Sequence, residues 1–255
     1  PMSTQDKQVV IVFNGEIYNH SSLRSELVNR GYLFNSTSDT EVILASYQEW
    51  GRDCVARLHG MFAFAIYDGV QASVFLARDR AGEKPLFYSI DKGELRFASE
   101  LKALTSDTSF SKHVDRRAFD CYLSMGYIPG DLCILEGVNK LPPAHTLSFN
   151  LKDGSFDILR YWDLPDLASG AAEYCEDDLL DELENLLESS VRRQLVADVP
   201  VSLLLSGGVD SSLITALAAR NGGRLKTFTV GFSGHADYDE SAHAQLIAQY
   251  FDTDH

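Results

Sequence analysis

The ten residues Leu203-Leu204-Leu205-Ser206-Gly207-Gly208-Val209-Asp210-Ser211-Ser212 leave the chain the least freedom. The compact apolar run 199–205 reads as a strand, and 213–220 reads as a helix. Two glycines and several hydroxyls join them, and glycine allows backbone angles and close approach that a Cβ would block. The flanking segments keep this rhythm. An amphipathic helix over 176–193, with Leu179, Leu183, Leu186 and Leu187 on one side, precedes the strand, while a strand over 225–230 and a helix over 241–250 follow the turn. Strand and helix in alternation predict a parallel sheet. A helix start presents unpaired N–H groups and a partial positive charge, so with Ser206, Ser211 and Ser212 it forms a receptor for phosphate oxygens. Asp210 suits such a site only if a cation bridges it, and Mg²⁺ carried by a nucleotide is the natural bridge. The string is neither the Walker-type loop nor G-x-G-x-x-G, because it has no Gly-Lys-Ser/Thr and the wrong glycine spacing.

The first two thirds read differently. Apolar runs at 9–13, 61–67, 73–77, 86–90 and 95–98 are punctuated by Asn14-Gly15, Asp68-Gly69 and Lys92-Gly93. Short strands with tight glycine turns predict antiparallel meanders. Helices are predicted over 21–30 and 39–50, each closing before a glycine. The polar stretch 165–172 marks the boundary, giving domains 1–165 and 174–255. Only two strands are evident after it, too few for a buried parallel sheet. That shortfall, and an opening only a few residues before a strand, suggest a piece of a longer protein with both ends missing.

A net charge of −15 argues against a nucleic-acid partner, since phosphate backbones need clustered cations. Cys54, Cys121, Cys133 and Cys175 form no CxxC and sit beside no histidines at zinc spacing, which fits a reducing compartment. With no signal-like opening and no apolar run long enough to span a bilayer, the expected location is the cytoplasm.

The Ser206–Ser212 string resembles the pyrophosphate loop of the ATP pyrophosphatases, which cleave ATP to AMP and pyrophosphate. Upstream, Phe13-Asn14-Gly15-Glu16-Ile17-Tyr18-Asn19 resembles the glutamine-pocket strand of the class-II amidotransferases, and Ser38-Asp39-Thr40-Glu41 resembles a second pocket segment. Arg78-Asp79-Arg80-Ala81-Gly82-Glu83-Lys84-Pro85-Leu86-Phe87-Tyr88, then Phe97-Ala98-Ser99-Glu100, Gly126-Tyr127-Ile128-Pro129 and Lys140-Leu141-Pro142-Pro143 follow in that family's order. Together they resemble the glutamine-hydrolysing asparagine synthetases. The resemblance implies an α+β Ntn-hydrolase-type αββα sandwich with antiparallel sheets. After it would come the start of an α/β ATP-pyrophosphatase domain with a parallel sheet, of the adenine nucleotide alpha hydrolase-like kind.

The same resemblance implies the site. Asn14 and Gly15 would form the oxyanion hole. Asn14, Gly15, Glu16 and Asp39 would bind glutamine, with Asp39 and the Glu16 region taking its α-amino group. Taken alone, Asn14-Gly15 reads as a turn and Asp39 as a helix N-cap. Leu205, Ser206, Gly207, Gly208, Asp210, Ser211, Ser212 and Val230 would bind ATP, with Asp210 on Mg²⁺. Arg78, Asp79, Arg80 and Lys84 read as a structural ion-pair network near the pocket, and His20, His59, His113 and His145 as surface or packing residues. The family's nucleophile is an N-terminal cysteine, a role that none of the four cysteines takes, so this polypeptide is expected not to hydrolyse glutamine itself. For the parent protein the implied reaction is ATP-dependent amidation of aspartate by glutamine-derived ammonia. The alternatives are an amidotransferase acting on another carboxylate, a beta-lactam-synthetase-like cyclase without glutaminase activity, and a silent glutamine-sensing scaffold. Homodimers are common among relatives, so the resemblance also allows a homodimer.

Overall fold

A computed structural model describes residues 1–108, 110–165, 175–220, 225–232, 234 and 239–255. The chain divides into two compact units, Pro1–Asp166 and Leu167–His255. Residues 166–172, where the sequence places the boundary, and residue 174, where it starts the second domain, lie outside the described residues, as does Tyr238.

The first unit runs β1 (Met2–Ser3), β2 (Val9–Ile17), α1 (His20–Asn29), α2 (Asp39–Trp50), a 3₁₀ helix (Gly51–Arg57), β3 (Gly60–Asp68), β4 (Ser73–Arg78), β5 (Phe87–Asp91), β6 (Glu94–Ala98), α3 (Leu101–Thr105), α4 (Arg116–Met125), β7 (Asn139–Lys140), β8 (His145–Asn150) and β9 (Phe156–Arg160). One sheet has the order β1-β2-β3-β4-β8-β9 and the other β6-β5-β7, and every pairing in them is antiparallel.

The side-chain alternation of β3 explains the layering. Phe62, Phe64 and Ile66 point one way, into a core shared with Leu23 and Leu27 of α1 and Val42 and Ile43 of α2. Ala63 and Ala65 point the other way, packing with Leu76, Tyr88, Leu147 and Phe149 and with the half-buried Phe97. Successive strand residues face opposite sides, so large residues here meet helices while alanines let a second sheet approach. A third cluster seats Leu101 and Leu104 of α3 against Phe87 and Ala98, outside the second sheet. The layers are therefore α1/α2, large sheet, small sheet and α3, an αββα sandwich of antiparallel sheets.

The predicted helix 39–50 forms with those bounds. Ser38 caps it, its Oγ accepting from Thr40 N at 3.2 Å, and Gly51 ends it at φ +59°. The β5–β6 hairpin turns through Lys92 and Gly93, both at positive φ, as a two-residue turn matched to strand twist requires.

The second unit runs α5 (Glu176–Gln194), β10 (Ser202–Leu204), α6 (Val209–Arg220), β11 (Lys226–Phe228) and α7 (Ser241–Tyr250). β10 and β11 pair in parallel, Leu203 opposite Thr227, as the strand–helix rhythm predicts. After α7 the chain returns beside β11. Asp254 N donates to Leu225 O at 2.7 Å and Thr227 N to Asp254 O at 2.9 Å, forming a parallel bridge that the sequence does not signal. Leu205 is buried against Ala244 and Ala248 of α7. No residue of α5 is buried among the described residues, and Leu179, Leu180, Leu183 and Leu186 stay exposed.

Candidate functional sites in the two units

β2 does not stop at Asn14-Gly15, as the sequence suggests, nor does the chain turn there. It continues in register to Ile17, with Gly15 opposite Phe62 and Ile17 opposite Gly60. Cross-strand pairing overrides the turn preference of Asn-Gly. Gly15 holds φ +154°, and a Cβ on it would lie 2.1 Å from Met61 O and 2.7 Å from Phe62 Cα. Only glycine meets both conditions. Asn14 is exposed, and its Nδ2 donates to Ser99 Oγ at 3.3 Å. Both residues line a cleft of about 160 Å³, together with Ala63 and Ala65 of β3 and Leu86 and Phe97. In the sequence Ser99 stands out only as a member of Phe97-Ala98-Ser99-Glu100. Its contact with Asn14 spans 85 positions, which no local pattern signals.

Asp39 opens α2 but is not its N-cap, because Ser38 takes that place. Its Oδ2 instead accepts from Ile17 N at 3.0 Å, tying the first turn of α2 to the end of β2. That bond sets Asp39 beside the end of β2, next in the strand to Glu16. The preceding loop is held by Glu41, which accepts from Asn35 N, Ser36 N and Ser36 Oγ. Burial works against the Glu41 carboxylate, but these donors and Arg24 leave its pKa below the usual value. Beside Glu16, burial raises the pKa of the Tyr18 phenol, and the carboxylates of Glu83, Glu16 and Asp79 push it the same way.

Arg78 and Asp79 are structural, but not as the expected ion-pair network. Arg78 donates to three main-chain carbonyls, Lys84 O at 2.8 Å, Leu141 O at 2.7 Å and Gly82 O at 2.7 Å. Asp79, fully buried, accepts from Phe62 N at 3.1 Å, Glu83 N at 2.9 Å and Lys84 N at 2.9 Å. Each charge is used on main-chain groups of the β4–β5 connection and its neighbours. Arg80 donates to Ala56 O and lies over the Trp162 ring. His20 and His145 bond the carbonyls of Ile17 and Pro143.

All four cysteines are free thiols. Burial, with Asp53 adding to it, pushes Cys54 up to about 12, which keeps it from forming a thiolate near neutrality.

In the second unit, α6 starts at Val209 rather than at 213, so Asp210, Ser211 and Ser212 occupy its first turn instead of a loop. Asp and Ser suit a helix start, and the two glycines alone make the corner. Gly207 sits at φ +83°, and a Cβ on it would lie 2.6 Å from His243 Cβ and 2.7 Å from Ala244 N. Ser206 Oγ and Ser211 Oγ are 3.0 Å apart, and Gly208 N donates to Ser206 Oγ at 3.3 Å. Ser212 Oγ is buried and has no hydrogen-bond partner. Leu205 N donates to Phe228 O, and Thr229 Oγ1 donates to Leu205 O, so Leu205 and the exposed Val230 lie just past the ends of β10 and β11, which stop short of the predicted 205 and 230. Thr229 was not among the predicted site residues. The eight predicted ATP residues thus gather at the carboxyl ends of two parallel strands, where ligands of open α/β sheets bind. Among the described residues no three His, Cys, Asp or Glu side chains converge as a metal cage, and no helix is long and apolar enough to cross a membrane.

Comparison with known proteins bears on both units. A glutamine amidotransferase domain family matches residues 1–162, and an asparagine synthase family matches 182–255. Asparagine synthetase [glutamine-hydrolyzing] 3 of Bacillus subtilis is 44% identical over 211 residues, covering 82% of this chain and 33% of its own length. Asparagine synthetase [glutamine-hydrolyzing] 1 of the same organism is 37% identical over 232 residues, 91% of this chain and 36% of its own. Amidase chyE of Penicillium rubens is 32% identical over 270 residues, the whole of this chain and 39% of its own. The chain spans about a third of the length of these curated relatives. With an amidotransferase domain over more than half its residues and asparagine synthase sequence after it, the chain belongs to the family of glutamine-hydrolysing asparagine synthetases.

Proposed function

We propose that the chain carries the glutamine pocket and the pyrophosphate loop of an enzyme that makes asparagine from aspartate, ATP and glutamine in the cytoplasm. Residues 1–165 form the glutaminase domain in this reading, and 174–255 open the ATP domain. When a nucleophile attacks the glutamine amide, the carbonyl oxygen becomes an oxyanion that needs preorganised donors. The Asn14 side chain, at the wall of the cleft described above, and the N–H of the next residue, Gly15, supply them. Glu16 and Asp39 take the α-amino group of glutamine. None of Cys54, Cys121, Cys133 and Cys175 is the nucleophile. The ammonia released passes to the second site, where the aspartate side-chain carboxylate attacks the α-phosphorus of ATP. Pyrophosphate leaves, and ammonia displaces AMP from the aspartyl-adenylate.

One observation carries the ATP half. The buried Ser212 hydroxyl lacks a partner at the start of α6, one turn from Gly207 and Gly208. A buried hydroxyl without a partner costs about 1–3 kcal/mol, and a phosphate oxygen would satisfy it. Ser206, Gly207, Gly208 and Ser211 complete the cradle, Leu205 lies along the nucleotide, and Val230 lies near adenine. Asp210 is exposed in the first helical turn. A lone carboxylate suits Mg²⁺, which usually takes one or two carboxylates together with substrate phosphates and water. Asp210 would hold that ion, which neutralises charge on the pyrophosphate oxygens.

ATP–pyrophosphate exchange by the full-length protein tests this reading. Exchange that depends on aspartate is the expected result. Exchange with another carboxylate but not with aspartate would shift the acceptor. No exchange with any carboxylate would leave a non-catalytic scaffold.

A further inference from the structure

The end of β2 is gripped by a segment that no pocket motif includes. Asn19 follows the strand, and its side-chain amide holds two main-chain groups at once. Its Nδ2 donates to Arg57 O at 2.9 Å, and its Oδ1 accepts from His59 N at 2.9 Å. Between them, Tyr18 N donates to His59 O at 2.8 Å. The amide can satisfy both partners in one orientation only, so residues 57–59 are fixed against 18–19.

The next residue is Gly60, paired with Ile17. A Cβ on Gly60 would lie 2.0 Å from Glu16 O and 3.0 Å from Ile17 Cα. Gly15 presents the mirror situation, with Met61 O 2.1 Å from its would-be Cβ. Over these few residues the two strands touch main chain to main chain, each through a bare Cα. Neither contact involves a side chain that could swing away. Gly60 is not held at a left-handed φ, so its need for glycine comes from the Glu16 carbonyl rather than from its own backbone angles.

We propose that Gly60, locked in place by Asn19, is a positioning residue for the glutaminase site. Its missing Cβ sets where the Glu16 carbonyl lies, and hence where Gly15 N–H and the Asn14 side chain meet the oxyanion. Gly60 touches no substrate. The proposal rests on the amidotransferase reading given above.

The test is Gly60→Ala in the full-length protein, with glutaminase kinetics, ammonia-dependent amide synthesis and thermal unfolding measured side by side. The added methyl forces the strands apart by about 1 Å, and a misplacement of that size costs roughly 100-fold in rate. The glutaminase kcat should fall by about that factor while the KM for glutamine changes by less than about threefold, because the oxyanion forms only after binding. Ammonia-dependent synthesis should stay within about twofold of wild type, a split that a general loss of folding would not produce. A wild-type kcat in Gly60→Ala overturns the proposal. If that variant fails to fold, Asn19→Asp decides, since it keeps the acceptor for His59 N and sets a carboxylate against Arg57 O. A folded Asn19→Asp protein with reduced kcat supports the proposal, and one with unchanged kcat overturns it. A wild-type protein that hydrolyses no glutamine removes the functional reading itself and this proposal with it.

Discussion

Replacing Asp79 by Asn should destabilise the first unit by about 2–4 kcal/mol while leaving the cleft at Asn14 chemically intact. Three N–H donors converge on the carboxylate, Phe62 N and Lys84 N on Oδ2 and Glu83 N on Oδ1. The best amide orientation sets its oxygen at Oδ2 and keeps two of these bonds. Its NH₂ then faces Glu83 N–H, donor against donor. Hydrogen bonds to charged groups contribute about 1.5–3 kcal/mol, and a buried unsatisfied donor costs about 1–3 kcal/mol. The relief of no longer burying a charge offsets part of this, which sets the range. For a unit of this size, a loss near 3 kcal/mol lowers the melting midpoint by about 6–12 °C. Calorimetry on the full-length wild type and variant would measure it, with glutaminase activity read well below the midpoint. A variant that melts like wild type but hydrolyses no glutamine would refute the reasoning. Asp79 would then act in the site rather than as a staple for the β4–β5 connection.

Other expectations follow from single contacts. Gly207→Ala should abolish ATP–pyrophosphate exchange and spare glutaminase, because a Cβ there would meet His243 Cβ at 2.6 Å and Ala244 N at 2.7 Å; retained exchange would sink this account of the loop. Ser38→Ala removes the cap on α2 and should cost about 1 kcal/mol in urea unfolding; an unchanged urea midpoint would show that the cap contributes nothing. A thiol reagent at pH 8 should label exposed Cys175 quickly and buried Cys54 only on unfolding, and fast native labelling of Cys54 would contradict its burial. The folded pKa of Cys54 is about 12, above an unfolded value of about 8.5. Its contribution to stability is therefore complete below pH 8.5 and is lost as pH rises toward 12. Tyr47, raised by burial and by Asp68, behaves likewise from about pH 10 upward. Urea midpoints between pH 8 and pH 11 should fall accordingly.

What could be read from the sequence follows from where the signals lie. The bounds of α2 were legible because its buried face and its terminating glycine are local, although the cap is Ser38 and not Asp39. The strand through Asn14-Gly15 was not, because the force that keeps it extended comes from β3, some 45 residues on. Strands β8 and β9 are missing from the sequence-based expectation, although Thr146-Leu147-Ser148-Phe149 alternates polar and apolar residues at the strand period. In β8 the four consecutive residues Thr146, Leu147, Ser148 and Phe149 are all buried, so polar and apolar positions do not separate by exposure. The start of α6 was placed four residues late because Val209 and the polar Asp-Ser-Ser that follows it look like loop, although Asp and Ser favour a helix N-terminus. Charge was misleading at Arg78-Asp79, where adjacent opposite charges suggest an ion pair but main-chain groups hold both. The site residues are expected from resemblance alone; the contacts that hold them come from residues distant in sequence.

Those contacts share one physical character. At Gly15, Gly60 and Gly207 the atom that excludes a Cβ includes main chain in each case, Met61 O, Glu16 O and Ala244 N. A clash with a side chain can be relieved by a rotamer change costing about 1 kcal/mol, but a clash with a paired strand or a helix turn has no such escape. Substitutions at these glycines should therefore act sharply on activity. Changes at Glu16 or Asp39 should instead be graded if they bind substrate as proposed, because such a side chain can be altered without a clash against the strand. Asp39 tests the distinction, since its Oδ2 also holds Ile17 N. Asp39→Asn keeps an acceptor for that bond but removes the charge that the proposed function assigns to the α-amino group of glutamine. It should raise KM for glutamine by roughly 10-fold or more, as loss of a charge-assisted contact does, while the stability of the first unit stays within about 1 kcal/mol of wild type. If kcat falls and KM does not, Asp39 serves the strand rather than the substrate, and the binding role belongs elsewhere.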